Sequence, residues 1–240
     1  MHAFSMQDPI FFSKWNSAQN RYPDTGERFC VQCHNPIAFI TGIDLTEYET
    51  KEALETSNLS LAIKEGIGCD ICHSTTSLSK TVHTGDNLAA VAEYYLNPGE
   101  NIKYGSIKNP DYTAYHKSEY NPIFKRSEFC LPCHDITIRG IEAEITFSEW
   151  NRNPFLAMSG ALSCQDCHMP KQTDEDSIVY HDHRFVGVDI DLSYSIGESP
   201  LHEAVHDMLQ SAVNLQFGYL NQTLPDFISY GDSLLIPVSI

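Results

Sequence analysis

Four copies of one pentad constrain this chain more than anything else in it. Cys30-Val31-Gln32-Cys33-His34, Cys69-Asp70-Ile71-Cys72-His73, Cys130-Leu131-Pro132-Cys133-His134 and Cys164-Gln165-Asp166-Cys167-His168 together use all eight cysteines. Cys-x-x-Cys-His is the attachment run of haem c: two thiols add to the porphyrin vinyl groups, whose separation the two intervening residues match, and the adjacent histidine ligates the iron. The pattern assigns thioether links to Cys30, Cys33, Cys69, Cys72, Cys130, Cys133, Cys164 and Cys167. It assigns proximal ligation to His34, His73, His134 and His168, and so calls for four haem c groups.

Two other uses of paired cysteines fit less well. Structural zinc also takes Cys-x-x-Cys units, but it does not need histidine directly after the second thiol. Histidine makes up 11 of 240 residues, so four placements out of four are not chance. Disulfides explain an even cysteine number but neither the constant spacing nor the histidines.

The motifs are separated by 34, 56 and 29 residues, which is no repeat period. We expect a mainly α chain with much irregular structure, organised around four haems as a multihaem cytochrome c fold, with a short C-terminal strand. It reads as a single tetrahaem domain over 1–240, a segment or mature form of a longer chain, with 221–240 beginning a following β-region. The apolar fraction of 42% suits a core built partly of porphyrin.

Local patterns predict helices over about 45–64, stopped at Gly66-Ile67-Gly68, and over 88–96, capped by Asp86 or Asn87. Thr146-Phe147-Ser148-Glu149 predicts a capping box opening a helix toward Met158 and Gly160. Ser199-Pro200 opens an amphipathic helix with Leu201, Val205, Met208, Leu209, Ala212 and Val213 on one face. Segments 97–121 and 171–177 read as loops.

A net charge of −17 excludes general affinity for nucleic acid or anionic lipid, and any redox partner is expected to be basic. No apolar run reaches the roughly 18 residues of a membrane span. Met1 to Pro9 has no signal-peptide character. Since haem c is attached after export, the expected location is periplasmic or extracellular, and the numbering is expected to begin at a processed or truncated end.

Each iron has a second axial position. Two imidazoles suit electron transfer, whereas an open position admits a substrate. Seven histidines remain: His2, His83, His116, His181, His183, His202 and His206. His83, in a polar Thr-Val-His-Thr-Gly turn, and His116, among tyrosines, are candidate distal ligands. His181-Asp182-His183 offers two candidates for one position, and His2 counts only if the chain end is ordered. His202 and His206 lie four apart on one helix, where core or surface roles are commoner. Met158 and Met208 read as core residues, and Met169 is too close to His168 to serve another haem.

Gly66-Ile67-Gly68-Cys69-Asp70-Ile71-Cys72-His73, Glu149-Trp150, Cys164-Gln165-Asp166-Cys167-His168-Met169-Pro170 and His183-Arg184-Phe185-Val186-Gly187 resemble the multihaem cytochromes related to hydroxylamine oxidoreductase and its tetrahaem electron acceptor. The similarity extends across most of the chain. It implies that His183, not His181, is an axial ligand, and that His2, within Met1-His2-Ala3-Phe4-Ser5 and Asp8-Pro9, is another. It also implies close stacked and perpendicular haem pairs forming a conduit. Relatives include extracellular tetrahaem cytochromes that polymerise into filaments, where a histidine of one subunit ligates a haem of the next. His2, on a terminal arm, is the candidate for such a contact, and assembly into filaments or a larger multihaem complex is an expected form of self-association.

The function expected is electron transfer through four haems, mostly or wholly bis-histidine ligated. The alternative is a redox enzyme with one open iron acting on a small nitrogen or sulfur compound; nothing in the residues marks a substrate pocket.

Overall fold

Asp8 starts the first long helix. Its carboxylate accepts the N–H groups of Ile10 and Phe11 at 2.7 and 2.8 Å, and Pro9 supplies a preset backbone angle where no N–H is needed. In the computed structural model the described residues are 2–22, 26–79, 92–111, 113–138, 140–153, 162–175, 177, 179–187, 198–199, 201–212, 216–217, 229 and 238–239. The chain forms two compact units, Met1–Phe185 and Val186–Ile240.

In the first unit α1 (Pro9–Arg21) packs on α2 (Gly26–His34), which packs on α3 (Pro36–Thr41). Asn35 joins the last two: its side chain caps α3 through the Ala38 N–H, and its amide donates to the Ile63 carbonyl at 2.6 Å. Phe12, Trp15, Val31, Ala38, Leu45, Leu54 and Ile63 form the core, with Met6 fully buried among them.

The helix expected over 45–64 is two short ones, α4 (Lys51–Thr56) and α5 (Leu61–Glu65). Core residues Leu45, Leu54 and Ile63 fall at nine-residue intervals, which a continuous helix would place on alternate faces. Breaking the helix brings them to one side. Thr50 caps α4, Ser57 hydrogen-bonds back to Leu54, and Lys64 Nζ closes the turn on the carbonyls of Glu55 and Ser57.

After α6 (Cys69–His73), β1 (Thr75–Ser79) pairs antiparallel with β2 (Glu93–Leu96). The described part of the expected 88–96 helix is therefore strand. Tyr94 and Tyr95 suit a half-buried pleated surface, and tertiary pairing overrides the helix-favouring run before them. The candidate caps Asp86 and Asn87 lie outside the described residues, as does His83.

The stretch read as loop contains β3 (Ile102–Gly105) and β4 (Lys117–Tyr120), a parallel pair joined by a long crossover. Then come α7 (Leu131–His134), the hairpin β5 (Ile136–Ile138) and β6 (Ile141–Glu144), and α8 (Thr146–Arg152). Thr146 is not the cap of α8: its N–H donates to Glu144 Oε1, and the N-cap position is Ile145. A capping box forms instead at α9 (Cys164–His168), where Ser163 and Asp166 exchange side-chain to backbone bonds. β7 (Lys171–Thr173), inside the segment 171–177 expected to be loop, pairs with β8 (Val179–His181) just beyond it.

In the second unit the expected amphipathic helix is present as α10 (His202–Ala212). Val205 is its buried residue and Leu209 is half exposed. A two-residue ladder joins β9 (Gln216–Phe217) to β10 (Val238–Ser239), so a short C-terminal strand is present. The remainder of 221–240, apart from Ser229, lies outside the described residues. Among the described residues the fold is short helices, irregular segments and five two-stranded sheets, with no helix long and apolar enough to cross a membrane.

Candidate functional site

Each Cys-x-x-Cys-His run lies on a short helix or at its edge: α2, α6, α7 and α9. Helical spacing puts the first cysteine, the second three residues on, and the histidine four residues on along one face. Each run therefore presents two sulfurs and one imidazole together, the donor set that haem c requires.

The four runs converge. Cys33 stands beside Cys133 and Cys130 beside Cys164, and Cys72 lies close to Cys130 and Cys133. The third run is thus in contact with the first and fourth and near the second. Tyr94 stands in this cluster, its hydroxyl donating to the Phe129 carbonyl at 2.6 Å. Burial, with the neighbouring cysteines adding, holds its phenol well above the ordinary value, and burial pushes the Cys72 thiol up to about 11.

The proximal imidazoles are oriented by their surroundings. His73 Nδ1 is 2.7 Å from the Tyr104 carbonyl, so it donates there and Nε2 is the nitrogen that carries the lone pair. The same ring stacks on Phe124, and His34 stacks on Phe11 at 4.1 Å between centroids. His134 Nδ1 lies 3.9 Å from Glu144.

Two of the candidate distal histidines face proximal ones. The rings of His2 and His134 are 6.1 Å apart between centroids, and those of His183 and His73 are 5.9 Å apart. Two imidazoles on opposite sides of one metal, each with a bond of about 2 Å, have centroids about 6 Å apart. Phe185 lies against both, 4.2 Å from His2 and 6.1 Å from His183. Burial first, then the charge of His134, pushes His2 down to about 4, so its ring is neutral, as a ligand must be. Its Nδ1 is buried without a partner.

The N-terminal segment is not a free arm. Ser5 Oγ donates to the His34 carbonyl, the Ile67 N–H donates to the His2 carbonyl, and Met6 is fully buried. Gly66 makes this seat: its φ is +105°, and a Cβ there would meet the Ser5 hydroxyl and lie 2.7 Å from the His34 carbonyl oxygen. His2 therefore lies against a motif of its own chain. Read from sequence alone, Gly66 is only a helix stop.

His183 is held by a tight turn in which Asp182 takes the Arg184 N–H and guanidinium at 2.8 and 2.7 Å. His116 and His181 have no such facing ring among the described residues. Each sets Nδ1 against a backbone carbonyl, that of Lys117 at 3.0 Å and that of Met169 at 2.6 Å. His202 and His206 stack on each other at 6.4 Å, as neighbours one turn apart on α10 do. No two of the eight cysteines are joined in a disulfide.

No family model matches the chain, and no curated protein matches it. A solved structure does: a penta-heme cytochrome c552 from Thermochromatium tepidum, 19% identical, with a TM-score of 0.53 over 78% of this chain and 52% of that one. The chain spans about half the length of that structure, and the likeness is one of fold.

Proposed function

Because the chain has the fold of a multihaem cytochrome, we propose that it moves electrons through four covalently bound haem c groups. The thioether links are those of the four Cys-x-x-Cys pairs, and His34, His73, His134 and His168 are the proximal ligands. His2 is the distal ligand at the third motif and His183 at the second, with His83 and His116 serving the other two irons. The observation that carries this reading is the pairing of His2 with His134 and of His183 with His73 at the separation of two imidazoles sharing one metal.

When bound, such a group supplies a reversible one-electron couple at its iron. The residues of this chain set where and how it sits. Tyr104 fixes the His73 ring through Nδ1, Phe124 and Phe11 back the proximal rings, and Phe185 lies against two distal ones. Contact among the motif sulfurs supports a continuous electron path, because it brings neighbouring groups to close range. Attachment of haem c places the protein outside the cytoplasm, and the charge of −17 favours a basic redox partner. The family implied is that of hydroxylamine oxidoreductase and its tetrahaem acceptor.

The test is intact mass together with an optical and paramagnetic resonance spectrum of the purified protein. Four added haem masses and low-spin iron are expected. A colourless protein overturns the reading. High-spin iron that shifts with cyanide or nitrite favours a catalytic open iron instead.

A further inference from the structure

The turn that carries His183 ends in a residue with an uncommon backbone. Asp182 donates its N–H to the Pro170 carbonyl at 2.9 Å and takes the Arg184 N–H and guanidinium, so the turn is fixed on both sides of the histidine. Phe185 follows with a φ of +52°. That left-handed region is the habit of glycine, and a bulky side chain there is an outlier that its surroundings must hold. What the conformation achieves is contact with two imidazoles. The Phe185 ring lies 4.2 Å from His2 with 63° between planes, and 6.1 Å from His183 with 87° between planes. Both are edge-to-face arrangements, one of the favoured geometries for aromatic pairs.

The two facing histidine pairs differ in ring angle. His2 and His134 stand at 74° between planes, His183 and His73 at 33°. The His73 ring is fixed through Nδ1 at the Tyr104 carbonyl. The Nδ1 of His2 is buried with no partner, so it gives that ring no hydrogen bond to set its rotation, and packing must do so. Among the described residues Phe185 is the nearest ring to it. The angle matters because an imidazole donates π density into the iron d orbital that lies perpendicular to its plane. Near-perpendicular planes on one iron load the two such orbitals alike and leave them close in energy, whereas planes nearer to parallel load one and split the pair. The first arrangement gives a highly anisotropic low-spin resonance and the second a rhombic one.

We propose that Phe185 is a positioning residue for both distal imidazoles. It holds the His2–His134 pair near perpendicular while the His183–His73 pair stays closer to parallel, so the irons of the third and second motifs are electronically distinct. This rests on the axial ligation proposed above.

The experiment uses the haem-loaded protein, with haem number fixed by mass and low-spin iron counted by integrated paramagnetic resonance. Failure of the ligation reading is seen separately, as a low-spin count undiminished in His2→Ala or His183→Ala. With ligation established, the native protein is expected to show a highly anisotropic signal that disappears in His2→Ala and a rhombic one that disappears in His183→Ala. In Phe185→Ala the low-spin count is expected to hold while the anisotropic signal of that one iron moves to the rhombic range. Phe185→Tyr, which keeps the ring, is expected to retain it. Where Phe185→Ala loads fewer haems, Phe185→Leu, which keeps an apolar side chain but no flat ring, is read the same way. A purely structural role for Phe185 lowers the melting temperature and leaves the signal shape alone. An anisotropic signal unchanged by loss of the ring therefore overturns the proposal, as does a rhombic signal lost in His2→Ala.

Discussion

The ring centroids of His2 and His134 are 6.1 Å apart with the ring planes at 74°, although 131 residues lie between them in the sequence. If they hold one iron between them, His2→Ala converts one iron in four to high spin and leaves the other three unchanged. His183→Ala does the same at the second motif. The double variant loses two irons' worth of low-spin signal, because the pairs share no ligand. Paramagnetic resonance on the three variants reads this directly, and low-spin signal undiminished in His2→Ala refutes the pairing.

Gly66→Ala is expected to mimic the His2 variant without touching a ligand. The left-handed φ of +105° and the contacts with Ser5 and the His34 carbonyl leave no room for a methyl group. The cost is about 1–3 kcal/mol, and the cheapest relief is release of the N-terminal segment. A lower melting temperature accompanied by high-spin iron at the third motif is the expected result. A lower melting temperature alone means the strain is absorbed elsewhere.

Tyr94→Phe separates packing from hydrogen bonding at the centre of the cysteine cluster. The ring stays, but the Phe129 carbonyl loses the hydroxyl that donates to it at 2.6 Å. A loss of about 1–2 kcal/mol in denaturant unfolding is expected, with haem number and spin state as in the native protein.

Asp182 gives a prediction for pH. Burial raises its carboxyl, but the Arg184 N–H and guanidinium outweigh this and hold it below the ordinary value. The folded protein therefore binds this proton less readily than the unfolded chain. The contribution to stability is complete above the unfolded carboxyl pKa of about 3.9 and is lost as the pH falls through the folded value. Asp182→Asn is expected to unfold more easily than the native protein at pH 7, with the difference shrinking below pH 4. Melting curves across that range check it.

The cysteine spacing made the site legible because thioether attachment is a local requirement. Five consecutive residues carry both sulfurs and the proximal imidazole, whatever the rest of the chain does. The choice of distal histidine is not local. Nothing around His2 or His183 names His134 or His73, and resemblance alone singled the two out. The same limit explains the helices. Leu45, Leu54 and Ile63 look helical in composition, yet their common face is set by a core including Phe12, Trp15 and Met6, far away in the sequence. Tyr94 becomes strand because Thr75–Ser79 is there to pair with it. The capping box at Ser163 was missed because Asp166 stands where the usual pattern has glutamate or glutamine.

Seating of the N-terminal segment also has a kinetic side. Its contacts run to residues 34, 67 and 134, so they are complete only once segments far along the sequence have folded against it. Long-range closures of this kind slow a folding reaction far more than they weaken its product. On the proposed pairing, the His2 imidazole can reach its iron only after the third motif has folded against residues 2–6.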